Sequence, residues 1–261
     1  SFKMDKNNVM SPDYVPEEYS VPYDILELPS QGLLYKNKKS SVKVEYLTAM
    51  DETIITSPNI IANNKVVDTL LERKIKDLGF DPAELLEGDR VAILVFLRVT
   101  GFGNEYTQLV YNEKSQEYET GSIDLTTLKS KKLTVKPDEN NNFDFILPIS
   151  KKKIKFRFLT AKEDSEIGLL DETQMKRNNT DISNKLLLTL ERQVVSIDGE
   201  QDKIKISNIL KNLKIMDSRS LRKYISEIEP GLNLATNART QGGESVATFL
   251  RFNRTFFWPE L

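Results

Sequence analysis

The chain has 261 residues, with 37 Lys and Arg against 39 Asp and Glu, and it contains neither Cys nor His. Disulfides, thiolate or imidazole metal sites and histidine acid–base catalysis are therefore excluded. A formal charge of −2 argues against broad electrostatic binding to nucleic acid while leaving a local basic patch open, and no apolar run reaches membrane-spanning length. No charged-then-apolar leader opens the sequence, so the expectation is a soluble, cytosolically made protein whose Ser1 follows a removed Met or a further segment.

From Asn7 to Tyr35 there are five acids (Asp13, Glu17, Glu18, Asp24, Glu27), no Lys or Arg, and Pro12, Pro16, Pro22 and Pro29. Prolines at that density forbid a long helix and favour an extended backbone. Tyr14, Tyr19 and Tyr23 are interleaved with them, and tyrosine rings bury much area at little entropic cost. Residues 1–25 are thus predicted to be an extended acidic arm that lays its tyrosines across its own body or against a partner chain.

Val42 to Thr48 alternates apolar and polar residues through Val42, Val44 and Tyr46, the pattern of a half-buried strand, and Thr48 suits the N-cap of a following turn. Ser57-Pro58 then opens a helical stretch whose apolar face is Val67, Leu70, Leu71, Ile75 and Leu78. Asp81-Pro82-Ala83-Glu84 reads as a capping box with proline at N1. Asp89 opens a helix through Val99 that Gly101 ends; Val91 to Leu97 is apolar all round, so this helix must be nearly enclosed. A short buried strand competes there, and the Asp89 start with the Gly101 stop favours helix. Tyr106 to Leu125 alternates around central turn residues, as a β-hairpin does.

Between Lys129 and Arg157 the sign reverses, with nine bases against Asp138, Glu139 and Asp144, and Pro137 to Asn142 places the main internal boundary near Asn140. The basic segment lacks the aromatic interleaving of a single-strand platform and the helical register of a groove reader. It is expected to be a solvated loop or a patch complementary to an acidic protein surface, with Lys151, Lys152 and Lys153 as candidate partner contacts.

The second half restates the first. Ile154 to Glu163 (IKFRFLTAKE) parallels Val42 to Asp51 (VKVEYLTAMD), both sharing Leu-Thr-Ala, and each follows a Leu-Pro step, Leu28-Pro29 and Leu147-Pro148. Asp181 can cap a helix facing inward through Ile182, Leu186, Leu190 and Val194, and Leu71-Glu72-Arg73 recurs as Leu190-Glu191-Arg192. Helices over Ser207 to Leu213 and Ser218 to Ile228 follow, the second stopped by Pro230-Gly231, and Asn233 to Phe252 supplies another hairpin. The predicted fold is α+β: two tandem related repeats, residues 26–140 and 141–261, each strand, helices and β-hairpin. Matched features drift apart along the chain, so the second half carries insertions, the first around Gly168 to Asn179.

A search for chemistry is empty. Gly101-Phe-Gly103 lacks the third glycine and the setting of a dinucleotide fingerprint, and Gly242-Gly243 lacks the Lys-Ser/Thr of a phosphate loop. Asp51-Glu52 and Glu163-Asp164 could hold a hard cation, yet their place just after a strand favours helix-start residues. No serine has a histidine base, and nothing favours a Ser–Lys dyad. Phe256-Phe257-Trp258-Pro259 must be covered by the fold or by a partner; a core anchor is favoured, with the three aromatic residues kept as candidate contacts.

Leu28-Pro-Ser-Gln-Gly-Leu-Leu-Tyr35, Leu47-Thr-Ala-Met-Asp-Glu52, Leu86-Glu-Gly-Asp-Arg-Val-Ala-Ile-Leu-Val-Phe-Leu-Arg98 with Gly101, Ile123-Asp-Leu125, Leu147-Pro148 with Leu159-Thr160, and terminal Phe256-Phe-Trp-Pro259 resemble, in order, the baseplate hub subunit family of T-even-like contractile-tailed bacteriophages. The resemblance implies a non-enzymatic virion protein of the tail baseplate or its assembly, made in the host cytoplasm. Its implied partners are other hub or tail-tube proteins and the tape-measure protein, in a symmetric oligomer, without cofactor, membrane or nucleic acid. It also implies Cys-x-x-Cys pairs in the hairpins, as in a small zinc ribbon; Val110 to Ser115 and Thr236 to Gly243 occupy those stretches without Cys, so no metal is expected and cross-strand pairs must hold the hairpins. The alternative function is a nucleic-acid-associated adaptor using Lys129 to Arg157.

Overall fold

The computed structural model describes residues 20–252 and 256–257; Tyr14, Tyr19 and Trp258 lie outside them. The fold is α+β, with eight α-helices and several small antiparallel sheets among the described residues. β1 (Tyr23–Glu27) and β2 (Ser41–Glu45) form a hairpin with Leu26 opposite Val42 and Asp24 opposite Val44. Alternation buries Val42 and Val44 and leaves Tyr23 and Ile25 exposed. The body therefore begins at Tyr23, since the ladder runs back to the Tyr23–Glu45 pair and Tyr46 N donates to Pro22 O at 2.8 Å. Residues 23–25, grouped with the arm on the prolines and acids around them, belong to this edge strand.

α1 (Ala49–Ile55), α2 (Pro58–Ala62) and α3 (Val66–Lys74) follow. The helical stretch from Ser57 is interrupted at Asn63-Asn64, where Asn64 adopts φ 57°, a left-handed conformation that asparagine tolerates. Ile75 turns out of α3 into extended geometry and bridges Val44, so the predicted face continues only to the bridge. After a 3₁₀ turn at Pro82–Glu84, α4 (Glu87–Phe102) runs through the centre with Val91, Ile93, Leu94, Val95 and Leu97 buried. It starts two residues before Asp89 and is ended by Gly103 at φ 91°. Gly101 matters for packing instead: a Cβ there would meet Leu47 Cδ1 at 2.8 Å, so its missing side chain admits Leu47.

β3 (Glu105–Asn112) and β4 (Glu117–Asp124) form the first hairpin, and β5 (Ser130–Lys131) leads to the internal boundary. There Asp138 accepts from the backbone N–H groups of Asn140 and Asn142, closing the predicted turn. The second half runs β6 (Phe143–Ile146), β7 (Lys153–Phe156), α5 (Ala161–Arg177), α6 (Lys185–Gln193), β8 (Val194–Ile197), α7 (Lys203–Lys211), α8 (Ile215–Ile228), β9 (Gly231–Leu232), β10 (Ala235–Thr240) and β11 (Ser245–Phe249). Asp181 does not cap α6: the N-cap position is Asn184, whose side chain makes no capping bond, and Ser183 and Asn184 are gathered onto buried Asp171 of α5. Ile182 and Leu186 are consequently outside the core, at 72% and 59% exposure, while Leu190 and Val194 are inside as predicted.

The same contacts recur in both halves. Leu28 N donates to Ser40 O at 2.9 Å, and Leu147 N donates to Lys152 O at 3.0 Å. Thr48 N donates to the Asp51 carboxylate at 2.8 Å and Thr160 N to that of Glu163 at 3.3 Å, each acid closing a capping box. The arginine of each Leu-Glu-Arg reaches that same acid, Arg73 at 3.0 Å from Asp51 and Arg192 at 3.7 Å from Glu163. The residue leaving each of these helices, Ile75 or Val194, pairs with the matched strand position, Val44 or Phe156. Finally the third residue of α4, Asp89, accepts from Ser30 N at 2.9 Å, and the third residue of α8, Asp217, accepts from Ile149 N at 2.8 Å and Ser150 N at 3.0 Å. A helix N-terminus thus holds the Leu-Pro turn in each half.

The halves share one core, which runs from Leu28 to Phe257. Ala161 N donates to Leu85 O, and α4 lies so close to β9 that a Cβ on Gly88 would fall 1.9 Å from Pro230 O. The two hairpins merge into one four-stranded sheet in the order β11-β10-β4-β3. Its inner face carries Tyr106, Val110, Ile123, Ala238 and Val246. Where β3 and β11 curl toward each other, the buried amide of Gln108 joins them, donating to Phe249 O at 2.7 Å and Thr248 Oγ1 at 3.2 Å and accepting from Arg251 N at 3.0 Å.

Candidate functional site

The predicted contact residues do not converge. Tyr23 stands half exposed on β1 with Lys43 Nζ 3.9 Å from its ring centre. Lys151 and Lys153 are exposed, and Lys152 lies 4.0 Å from Asp198. Phe256 and Phe257 are core anchors, the reading favoured for them, and not partner contacts: at 1% and 7% exposure they serve the core, Phe256 meeting Tyr106 edge-on at 5.2 Å, so neither ring is open to a partner in this conformation.

The basic segment is largely spent within the chain. Lys155 lies 3.2 Å from Asp138 and 3.0 Å from Asp144, Arg157 grips Glu163 with two nitrogens, Lys132 lies 3.9 Å from Glu27, and Lys131 donates to Ser226 O at 2.6 Å. The bases that remain at the hairpins are elsewhere. Lys129 and Arg239 both line a cavity of about 1030 Å³ on the outer face of the four-stranded sheet, with Thr107, Ser122, Asn237 and Ser245 among its short polar walls. Glu105 and Asp124, cross-strand partners, face the same space. Nothing in the alternation signals this cavity, because it depends on two hairpins from opposite halves meeting.

A second exposed feature is apolar. Leu109, Tyr111 and Tyr118 stand on the outer face of the β3–β4 hairpin, Tyr111 and Tyr118 being cross-strand partners with ring centres 5.2 Å apart. Leu169 and Leu170, midway along α5, and Ile182 and Leu186, at the α5–α6 turn, add exposed apolar side chains. Surfaces of this kind mark protein contacts more often than catalysis.

The buried ionisable groups are structural. Asp51 sits against Arg73 and the enclosed Lys74; their hydrogen bonds and charge outweigh burial and hold its carboxyl below the usual range. The acids at both strand ends are therefore helix-start residues, and in each pair the capping acid, Asp51 or Glu163, is already matched by cations. Asp89 is raised by burial, which outweighs the hydrogen bonds it accepts from Ser30 and Tyr35; Tyr35 in turn is raised by burial and by the adjacent Asp89. At the seam between halves, burial reinforced by Glu87 and Asp164 pushes Glu229 up to about 7, and burial with help from Asp164 pushes Glu87 up to about 6. Among the described residues no group of three or more carboxylates is placed to hold a metal ion.

No family model matches the chain, and no curated protein or solved structure matches it.

Proposed function

We propose that this chain is a structural or assembly component of the baseplate hub of a contractile phage tail, working through protein–protein contacts and catalysing nothing. The observation that carries the reading is the ordered sequence resemblance from Leu28 to Pro259, whose segments include the Leu-Pro turn and the start of α4. The exposed Leu109, Tyr111 and Tyr118 group, together with the apolar α5–α6 turn, fits a protein that docks on neighbours. The recurrence of the same contacts in residues 26–140 and 141–261 supports reading the two halves as copies of one unit. Its partners are other hub or tail-tube proteins and the tape-measure protein, in a symmetric assembly placed in the virion after assembly in the host cytoplasm. No observation favours the nucleic-acid adaptor, since Lys131, Lys132, Lys152, Lys155 and Arg157 of its proposed basic surface are matched by internal acids and carbonyls.

Quantitative mass spectrometry of purified tailed particles and of their tail-assembly intermediates, from the virus encoding the chain, tests the reading. The chain is expected in a fixed ratio to hub proteins in one or both preparations. Its absence from both would overturn the assignment.

A further inference from the structure

Two stretches of chain, Gly121 to Lys131 and Gly231 to Thr240, run antiparallel and pair at both ends but not between. At one end Ser122 and Gly121 pair with Arg239 and Thr240; at the other Asn233 N donates to Lys129 O, and Ser130 and Lys131 pair with Leu232 and Gly231. The cavity described above opens over this interruption. Arg239 has serines as neighbours across both ladders, Ser122 and Ser245, so short side chains leave its guanidinium uncovered. Among the described residues no ion pair engages Arg239 or Lys129; Lys131, Lys132, Lys152, Lys155 and Arg157 are engaged, and Lys136, Lys151 and Lys153, likewise unpaired, lie outside this cavity. An arginine fork without an internal acceptor, in a concave site, suits a carboxylate. Glu105 and Asp124 share the cavity with the two bases, so the site favours two separated acids over a continuous acidic run.

We propose that this cavity receives the acidic stretch Asp13 to Glu18 of the same chain, Asp13 and either Glu17 or Glu18 meeting the two free bases. Charge and spacing agree. From Asn7 to Tyr35 the sequence offers acids and no bases. Six residues of strand separate Arg239 from Asn233, beside Lys129, or roughly 20 Å, while acids four or five residues apart on an extended chain stand roughly 13–17 Å apart, a difference the long basic side chains span. The chain enters the described body at Ser20, and Pro22 is fixed against Tyr46. The next residue, Leu47, packs on Gly101 near the end of α4, shortly before Glu105 begins β3 at the cavity wall. Seven residues from Ser20 to Asp13 reach up to roughly 23–25 Å. The proposal is independent of the phage reading.

Carbodiimide cross-linking of the full chain in dilute solution, followed by peptide mass spectrometry, tests it. The expected product is an amide between Lys129 and Asp13, Glu17 or Glu18. Lys129→Arg should abolish that product while keeping the charge, and Arg239→Glu should lower its yield by about fivefold or more at unchanged circular dichroism. Cross-links of those acids to Lys151, Lys152 or Lys153 instead, or no cross-link, would overturn the proposal. An equal mixture of light and ¹⁵N-labelled chains closes the remaining route: mixed-isotope products would replace the internal contact by one between copies.

Discussion

Asp51 in the first half and Glu163 in the second do the same job in different surroundings. Each closes the capping box after a Leu-Thr-Ala strand and each receives the arginine of Leu-Glu-Arg. Asp51, the shorter side chain, is fully enclosed and draws Lys74 into the interior with it. Glu163 reaches outward to Arg157 and Arg192, both open to water. The frame thus depends on position, whereas the energy at stake depends on what surrounds it. The helices behind the caps differ in the same spirit: the first half breaks at Ser57-Pro58, while α5 continues unbroken to Arg177 before the chain turns into α6.

The sharpest way to break the symmetry is to remove both acids in turn. Asp51→Ala leaves the Lys74 ammonium buried without its counter-charge and should cost about 3–5 kcal/mol. Glu163→Ala loses a cap and solvent-screened ion pairs and should cost about 1–2 kcal/mol. Urea denaturation of both variants checks this, and equal losses would end the distinction.

A second comparison lies at the helix starts, where Leu86 (φ −61°, ψ 143°) and Lys214 (φ −58°, ψ 142°) cap α4 and α8 in the same geometry. The second residue of α4 is Gly88, pressed against Pro230; the second of α8 is the exposed Met216. Gly88→Ala should destabilise by about 1–3 kcal/mol despite alanine's better helix propensity, and Met216→Ala should stay within about 0.5 kcal/mol. Thermal melts of the pair decide it. Gln108 has no counterpart because it binds hairpin to hairpin; Gln108→Ala leaves Phe249 O and Arg251 N without their partners and should cost about 1–3 kcal/mol. Amide exchange should then accelerate in β11 before β4.

The smallest effect separates the seam from the caps by pH. Glu87 and Glu229 have raised folded-state values, about 6 and about 7, so their contribution is fully present below their ordinary value near 4.5 and is lost as pH rises through about 7. Asp51, Glu163 and Asp217, held low, lose theirs only in acid. Melting temperature should therefore fall between pH 5 and 8 in the native chain and fall less in Glu229→Gln. An identical slope in that variant would remove Glu229 from the account.

The strands, their threonine caps and most helices were legible because they rest on local periodicity and capping chemistry. What was not legible is where buried polar groups send their bonds. Asp89 reads as a helix start, yet its carboxylate closes a turn at Ser30, and no local pattern encodes a partner so far along the chain. Ile182 and Leu186 keep helical spacing with Leu190, so periodicity ran through a loop that Asp171 organises. Asn63-Asn64 was a turn signal inside an apolar face that outweighed it. Gln108 did leave a trace, a polar residue on the inward side of the Tyr106 to Val110 alternation. The cavity with Arg239 left none, since each hairpin alone looks ordinary.

Phe256 packs against Tyr106, closing the inner face of a sheet whose first strands lie in the first half. During synthesis the Tyr106 hairpin leaves the ribosome about 150 residues ahead of that ring, which at roughly 5–20 residues per second leaves the hairpin's apolar face waiting for several seconds or longer. That face is closed only once Phe256 has been made and can reach Tyr106. Loss of the Phe256 ring would therefore harm not only its own surroundings but a hairpin laid down in the first half.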